Sequence, residues 1–206
     1  MNPKTLFNIP YGLYVLTANL DGKDNGCIIN TVCQVANTPD QITIAVNKAN
    51  YTRELVAASK KFTASIISEA ASFDLFKHFG FQSGRNVDKF AGFTDWKRGA
   101  NGAPIITAST NAYIAGWVTQ EIDLGSHTLF IASVTDMDVL TNIPSATYNY
   151  YQQNIKPKPQ QTAPPPAGKH VYRCKICGYE YIGDELPADF ICPLCKHPAS
   201  DFEQIS

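Results

Sequence analysis

Four of the chain's six cysteines form two Cys-x-x-Cys pairs towards its C-terminal end, Cys174 with Cys177 and Cys192 with Cys195. Two such pairs supply four thiolates to one tetrahedral centre, and an all-sulfur site of this kind suits zinc or iron. Zinc would make the tail a structural module; iron would make it a one-electron carrier. The bare spacing reads as zinc. The first pair stands in Tyr172-Arg173-Cys174-Lys175-Ile176-Cys177-Gly178-Tyr179, and the second is Cys192-Pro193-Leu194-Cys195. A Cys-x-x-Cys turn folds back so that backbone N–H groups point at the sulfurs and stabilise thiolate charge. Gly178 suits the sharp turn because it tolerates positive φ. Ile176 and Leu194 hold the third position of each pair, where an apolar side chain shields a metal from water. Tyr172, Tyr179, Phe190 and Phe202 are the expected aromatic core. Residues 169–206 are too few to fold well without a metal staple.

Two polar clusters lie far upstream. The first is Asn25-Gly26-Cys27-Ile28-Ile29-Asn30-Thr31-Val32. Asn-Gly marks a turn into a strand. Asn30 and Thr31 then offer groups that can hydrogen-bond the edge of a flat heterocycle, or simply form a strand's solvent face. The second is Asn47-Lys48-Ala49-Asn50-Tyr51-Thr52, where a strand hands over to a helix. A helix N-terminus binds anions through its free N–H groups. Lys48 adds charge, and Asn50 and Thr52 add short polar side chains, which together make a phosphate cradle. Ordinary N-capping by Asn50 accounts for the same residues.

A mainly β region must position these groups. Strands are expected over residues 13–20, 26–35, 42–46, 62–67, 111–122 and 129–139, and helices over 51–59 and 70–79, the latter with Phe73, Phe76 and Phe79 at spacings of three. This pattern predicts an antiparallel barrel with short helices, not a parallel α/β sheet. No Gly-x-Gly-x-x-Gly follows a strand, which disfavours a Rossmann domain. In a continuous 26–35 strand, Cys27 and Cys33 share a face about 20 Å apart, too far for a disulfide unless the strand breaks. Both read as small apolar fillers, and Cys27 also as a neighbour of a cofactor.

The chain has 206 residues, a net charge of −1 and 44% hydrophobic residues, enough for a medium domain and a small one. No basic run points to nucleic acid. The N-terminus lacks a signal-peptide core, and no run of 18 apolar residues points to a membrane span. The cysteine usage fits a reducing cytoplasm. Residues 152–167 hold Pro157, Pro159, Pro164, Pro165 and Pro166. The expected division is therefore a domain over 1–151, an extended linker over 152–168 and a small domain over 169–206. At about 3.1 Å per residue the linker reaches on the order of 50 Å.

The Cys-x-x-Cys-Gly-Tyr and Cys-Pro-x-Cys segments, with Asp201-Phe202-Glu203 downstream, resemble rubredoxin. The short gap between the pairs is similar to the rubredoxin domain of rubrerythrins, and Lys196 stands where many rubredoxins have glycine. This resemblance implies one iron held by the thiolates of Cys174, Cys177, Cys192 and Cys195. The upstream clusters, with Asp88-Lys89-Phe90 and Gly125-Ser126-His127-Thr128-Leu129-Phe130, resemble the flavin reductase-like, FMN-binding split-barrel family over residues 8–150. That family implies a mainly β split barrel, a homodimer, and FMN at the subunit interface. It implies ring contacts near Asn30 and Thr31 and phosphate contacts from Lys48, Asn50 and Thr52, and Cys27, Val32 and Tyr51 are further cofactor-binding candidates. Ser83, Arg85 and Lys89 supplement the phosphate site. His127 stands where the family has Gly-Asp-His, with Ser126 replacing the aspartate.

Together the halves resemble a flavin reductase–rubredoxin fusion of the high-molecular-weight rubredoxin type. The resemblance implies that NADH or NADPH reduces FMN and that single electrons pass to the iron and on to a redox protein such as a flavodiiron reductase of dioxygen or nitric oxide. Hydride moves directly between stacked rings, so no protein acid or base is required. The alternative is a flavin reductase that releases reduced FMN and carries a zinc-ribbon interaction module.

Overall fold

The computed structural model describes residues 1–157, 168–193 and 197–205. Its strands are β1 (Tyr14–Leu20), β2 (Lys23–Ile29), β3 (Val32–Asn37), β4 (Asp40–Asn47) and β5 (Lys61–Ile67), then the short β6 (Trp96–Arg98) and β7 (Pro104–Ile106), and the long β8 (Thr110–Asp123) and β9 (His127–Val139). Seven of them form one antiparallel sheet in the order β2-β1-β5-β8-β9-β4-β3, while β6 and β7 pair with each other. The outermost strands, β2 and β3, are consecutive in the chain and joined only by Asn30 and Thr31. Three residue-to-residue steps span at most about 11 Å. The sheet therefore curls until its edges approach, giving a barrel split between β2 and β3.

This closure corrects one expectation. The 26–35 run is not one strand: β2 pairs with β1 and β3 with β4, at opposite edges of the sheet. The Thr31 hydroxyl sits at the break, donating to the Ala45 carbonyl at 2.6 Å and accepting from the Ala45 N–H at 3.3 Å. Cys27 is buried and Cys33 is exposed, so only Cys27 is an apolar filler.

Leu16, Ile44, Val46, Phe62 and Phe130 fill the barrel with no solvent exposure. Gly116 lets Phe62 in, because a Cβ there would meet its ring at 2.6 Å. Helix α1 (Tyr51–Ser59) inserts Leu55 and Val56 into the same core. Asn50 caps its start by accepting from the Thr52 N–H at 3.0 Å, and Lys60 ends it with φ 59°, its N–H bonded to the Val56 carbonyl. Helix α2 (Phe73–Gly80) begins three residues later than expected. Ala71 closes a turn onto the Ser68 carbonyl, and Ser72 is extended (φ −88°, ψ 164°). Phe76 and Phe79 then point inward, and Phe79 meets Phe93 edge-on at 5.3 Å.

The chain divides into two compact units, Met1–Gln153 and Asn154–Ser206. Residues 152–155 are not extended: Tyr151–Ile155 forms a π-helical turn. Thr147 accepts the Tyr150 and Tyr151 N–H groups, and the Tyr151 ring packs 4.4 Å from Phe76. The prolines of residues 158–167 lie outside the described residues. The second unit holds β10 (His170–Cys174), β11 (Glu180–Gly183) and β12 (Phe202–Gln204), in the antiparallel order β11-β10-β12. Phe190 centres its aromatic core, with ring centroids 4.7 Å from Tyr181 and 5.4 Å from Phe202. Among the described residues no helix is long and apolar enough to cross a membrane.

Candidate functional site

The sulfurs of Cys174, Cys177 and Cys192 lie within 4.8 Å of one another, and all three side chains are buried. Cys195 and Leu194 lie outside the described residues. The Cys177 and Cys192 sulfurs are 3.4 Å apart. That is far beyond a disulfide bond of about 2.05 Å, and near the roughly 3.8 Å of two sulfurs sharing a tetrahedral metal with bonds of about 2.3 Å. The backbone explains the gathering. The Gly178 N–H donates to the Cys174 carbonyl at 2.8 Å, with Gly178 at φ 81°, and the Cys174 N–H donates to the Tyr179 carbonyl. The Lys175 N–H reaches the Asp201 carbonyl, which ties the first knuckle to the end of the chain, and the Cys192 N–H reaches the His197 carbonyl within the second. Ile176 is 37% exposed, while Cys174 and Cys177 beside it are buried. The donor set fits an iron–thiolate centre.

In the first unit the α1 N-terminus gathers most of the remaining candidates. Asn47 turns the chain, its Oδ1 accepting from the Ala49 N–H at 2.9 Å. Lys48 is half-buried, with its ammonium 2.7 Å from the Asp123 carboxylate. Asp123 is held below its usual pKa by that ammonium and by the Gly125 N–H. The Tyr51 ring lies between Lys23 at 4.7 Å and Arg85 at 5.1 Å, and Arg85 is also paired with Glu54. Ser83 accepts N–H groups of its own loop, from Arg85, Asn86 and Val87. Asn30, half-buried, stands between the barrel's two edges outside either ladder, and Val32 opens β3 against the core.

Three candidates sit one layer deeper than expected. Thr52 is fully buried, and its hydroxyl accepts from the Asn25 amide at 3.0 Å. Lys89 is 3% exposed and donates to the Gly26 carbonyl at 2.8 Å and the Phe79 carbonyl at 2.9 Å. Neither side chain is presented to a phosphate. Lys89 holds the backbone at Gly26 and Phe79, and Thr52 holds the Asn25 side chain. Cys27 lies under the same helix end, its thiol against the Thr52 hydroxyl and the Asn50 side chain. Burial pushes this thiol's pKa up, and Thr52, Lys89 and Asn50 only partly offset that. A protonated, buried thiol is unreactive. Iodoacetamide at mildly alkaline pH is therefore expected to label Cys33 in the native protein, and Cys27 only in denaturant. Peptide mapping by mass spectrometry checks this.

His127 pairs with Asn47 across β4 and β9, and its Nδ1 meets the Ser126 hydroxyl at 2.9 Å. The Lys48 N–H donates to the Ser126 carbonyl at 3.0 Å, so the β8–β9 turn sits beside Lys48. Sequence reading missed Arg53, whose Nε donates to the Thr128 hydroxyl at 2.9 Å. The available signal was a cation in the first turn of a helix, where the macrodipole disfavours positive charge. Such a local conflict makes Arg53 a candidate for the site.

These residues fit FMN. Lys48 and Arg53 crowd the positive end of α1, and the carboxylates opposing Lys48 and Arg85 are exposed partners. Exposed pairs of that kind are weakly held in water, which leaves both cations available to an anionic ligand.

A flavin-binding barrel followed by a thiolate metal centre defines a flavoprotein oxidoreductase. Residues 6–158 match the flavin reductase like domain, and residues 172–203 match the rubrerythrin, rubredoxin-like domain. The chain is 35% identical to the high molecular weight rubredoxin of Moorella thermoacetica, over 100% of both chains. It is 34% identical to the ferric-chelate reductase (NAD(P)H) of Archaeoglobus fulgidus, over 79% of this chain and 96% of that one. The NADH:FAD oxidoreductase of Streptomyces globisporus shares the fold at TM-score 0.62 and 22% identity, over 70% of this chain and 84% of that one. The chain belongs to the flavin reductase-like, FMN-binding family in its high-molecular-weight rubredoxin form. It is an NAD(P)H-dependent flavin oxidoreductase, and its cofactors are FMN and a rubredoxin-type iron.

Proposed function

We propose that the chain relays electrons from NADH or NADPH through FMN to its own tetrathiolate iron, and from there to an external redox protein. One observation carries this reading: a flavin reductase-like barrel and, in a separate unit, a buried thiol cluster spaced for a metal occur in one chain. Bound FMN supplies the conversion of a hydride's electron pair into single electrons. The chain's residues bind and orient. Lys48 and Arg53 hold the phosphate at the α1 N-terminus, with Arg85 and Ser83 beside it. Asn30 offers its amide to the ring edge, and Thr31 fixes that crossing through Ala45. Cys174, Cys177, Cys192 and Cys195 hold the iron, and the tail of residues 169–206 serves two partners in turn.

The barrel works as a homodimer. Trp117, Met137 and Val139 are exposed along β8 and β9 and offer an apolar surface to a second copy. The acceptor is a flavodiiron protein that reduces dioxygen or nitric oxide, which rests on the family resemblance, and the site of action is the cytoplasm, which rests on the cysteine usage.

The test is anaerobic. Flavin and ferric–thiolate absorption are both expected to bleach when NADH or NADPH is added, with one iron per chain by metal analysis. One zinc and no iron per chain would overturn the relay. A chain ending at Gln153 is expected to keep its flavin reduction and lose electron delivery to an added acceptor protein.

A further inference from the structure

Beneath the α1 N-terminus lies a buried polar cluster drawn from three separate segments. Asn25 of β2 is 2% exposed and donates through Nδ2 to the Thr52 hydroxyl at 3.0 Å. The Thr52 N–H donates in turn to Oδ1 of the capping Asn50 at 3.0 Å. On the same face of β2, the Cys27 thiol touches Thr52 and Asn50, and the Gly26 carbonyl between them accepts from Lys89. Burying this many polar groups is costly unless all are satisfied, and one is not: Asn25 Oδ1 is buried without a hydrogen-bond partner.

That orphaned oxygen faces Gly84. A Cβ on Gly84 would stand 2.1 Å from Asn25 Oδ1 and 2.5 Å from its Cγ. The backbone of Gly84 is not in the left-handed region. Close approach, not conformation, therefore requires glycine here. Gly84 belongs to the loop that carries Ser83 and Arg85, and that loop, with the β1–β2 turn and Lys23, walls a cleft of about 500 Å³. Asn25 thus joins this loop to the helix cap through Thr52.

We infer that Asn25 and Gly84 are positioning residues for the flavin phosphate. Contact between them sets how the loop bearing Arg85 sits against the α1 N-terminus, and hence how tightly the cradle closes on a phosphate. Neither residue touches the ligand. The inference rests on the proposed phosphate site at the α1 N-terminus, and the experiment separates the two.

Flavin-stripped full-length protein is titrated with FMN, and binding is followed by quenching of flavin fluorescence. Melting of the flavin-free barrel is recorded for every variant. Gly84→Ala is expected to weaken FMN binding at least about 10-fold, the scale of coupling between contacting residues. Adding Asn25→Ser, which removes the obstructing amide and keeps a hydroxyl, is expected to bring affinity back to within about threefold of the Asn25→Ser single variant. Equal losses from Gly84→Ala in the wild-type and Asn25→Ser backgrounds would overturn the inference. So would unchanged affinity in a Gly84→Ala protein whose melting temperature alone falls. If Gly84→Ala does not fold, the folded Asn25→Ser single variant decides: affinity within twofold of wild type would overturn the coupling. Lys48→Ala with Arg53→Ala reports on the underlying site. Full FMN affinity in that variant would remove the site itself, whereas weakening there with Gly84→Ala unaffected would remove only the role of Asn25 and Gly84.

Discussion

Cys192→Ser is expected to abolish delivery of electrons to an external acceptor, by at least about 100-fold, while reduction of the flavin by nicotinamide changes by less than about twofold. Cys192 is fully buried, its sulfur lies 3.4 Å from that of Cys177, and its N–H is anchored to the His197 carbonyl. The second unit has one small sheet and one aromatic core around Phe190. Units of that size draw their folding energy from ligation, with apparent values of about 10–16 kcal/mol for structural metal sites. A serine oxygen is a poor replacement for a soft thiolate, so the variant loses the metal and with it the fold of the tail. The barrel has its own core and is expected to melt as before. The readouts are iron content, ferric–thiolate absorption and acceptor reduction under anaerobic conditions. Undiminished acceptor reduction would mean that electrons leave directly from the barrel. Cys33→Ser is the control, because Cys33 is exposed on an edge strand.

The first Cys-x-x-Cys pair was legible because its chemistry is local: the knuckle needs four residues and a turn glycine, and Gly178 takes the positive φ that its position requires. Strand alternation was legible for the same reason. Choice of pairing partner was not. Nothing within residues 26–35 tells that β2 bonds to β1 and β3 to β4, so the run read as one strand and Cys33 was placed inside. Depth was equally invisible. Thr52 and Lys89 have the side chains expected of a phosphate site, and only the crossing of β2, α1 and α2 shows that both are buried. Arg53 was passed over because a charged residue on a short helix reads as surface. Its meaning appears only with Lys48 beside it and Thr128 opposite.

Lys89→Met tests that depth directly and is expected to destabilise the barrel by roughly 2–4 kcal/mol. The ammonium donates to the Gly26 and Phe79 carbonyls, tying β2 to the end of α2. Hydrogen bonds to a charged group contribute about 1.5–3 kcal/mol each. Methionine keeps most of the packing of the stem but leaves both acceptors unmet. Relief of the buried charge offsets part of the loss. For a unit of this size the fall in melting temperature is about 2–4 °C per kcal/mol. The effect also has a signed pH dependence. Burial lowers the Lys89 pKa from its ordinary 10.5, with Cys27 opposing in part. Between the lowered value and 10.5 the unfolded chain binds a proton that the folded one has released, so stability from this group rises with pH across that window. The gap between wild type and Lys89→Met is therefore expected to widen as pH climbs towards 10.5. Denaturant titrations of the flavin-free barrel at several alkaline pH values measure it. A gap that narrows would mean that the folded protein holds the Lys89 proton more tightly than the unfolded chain, so that Cys27 and the two carbonyls outweigh burial.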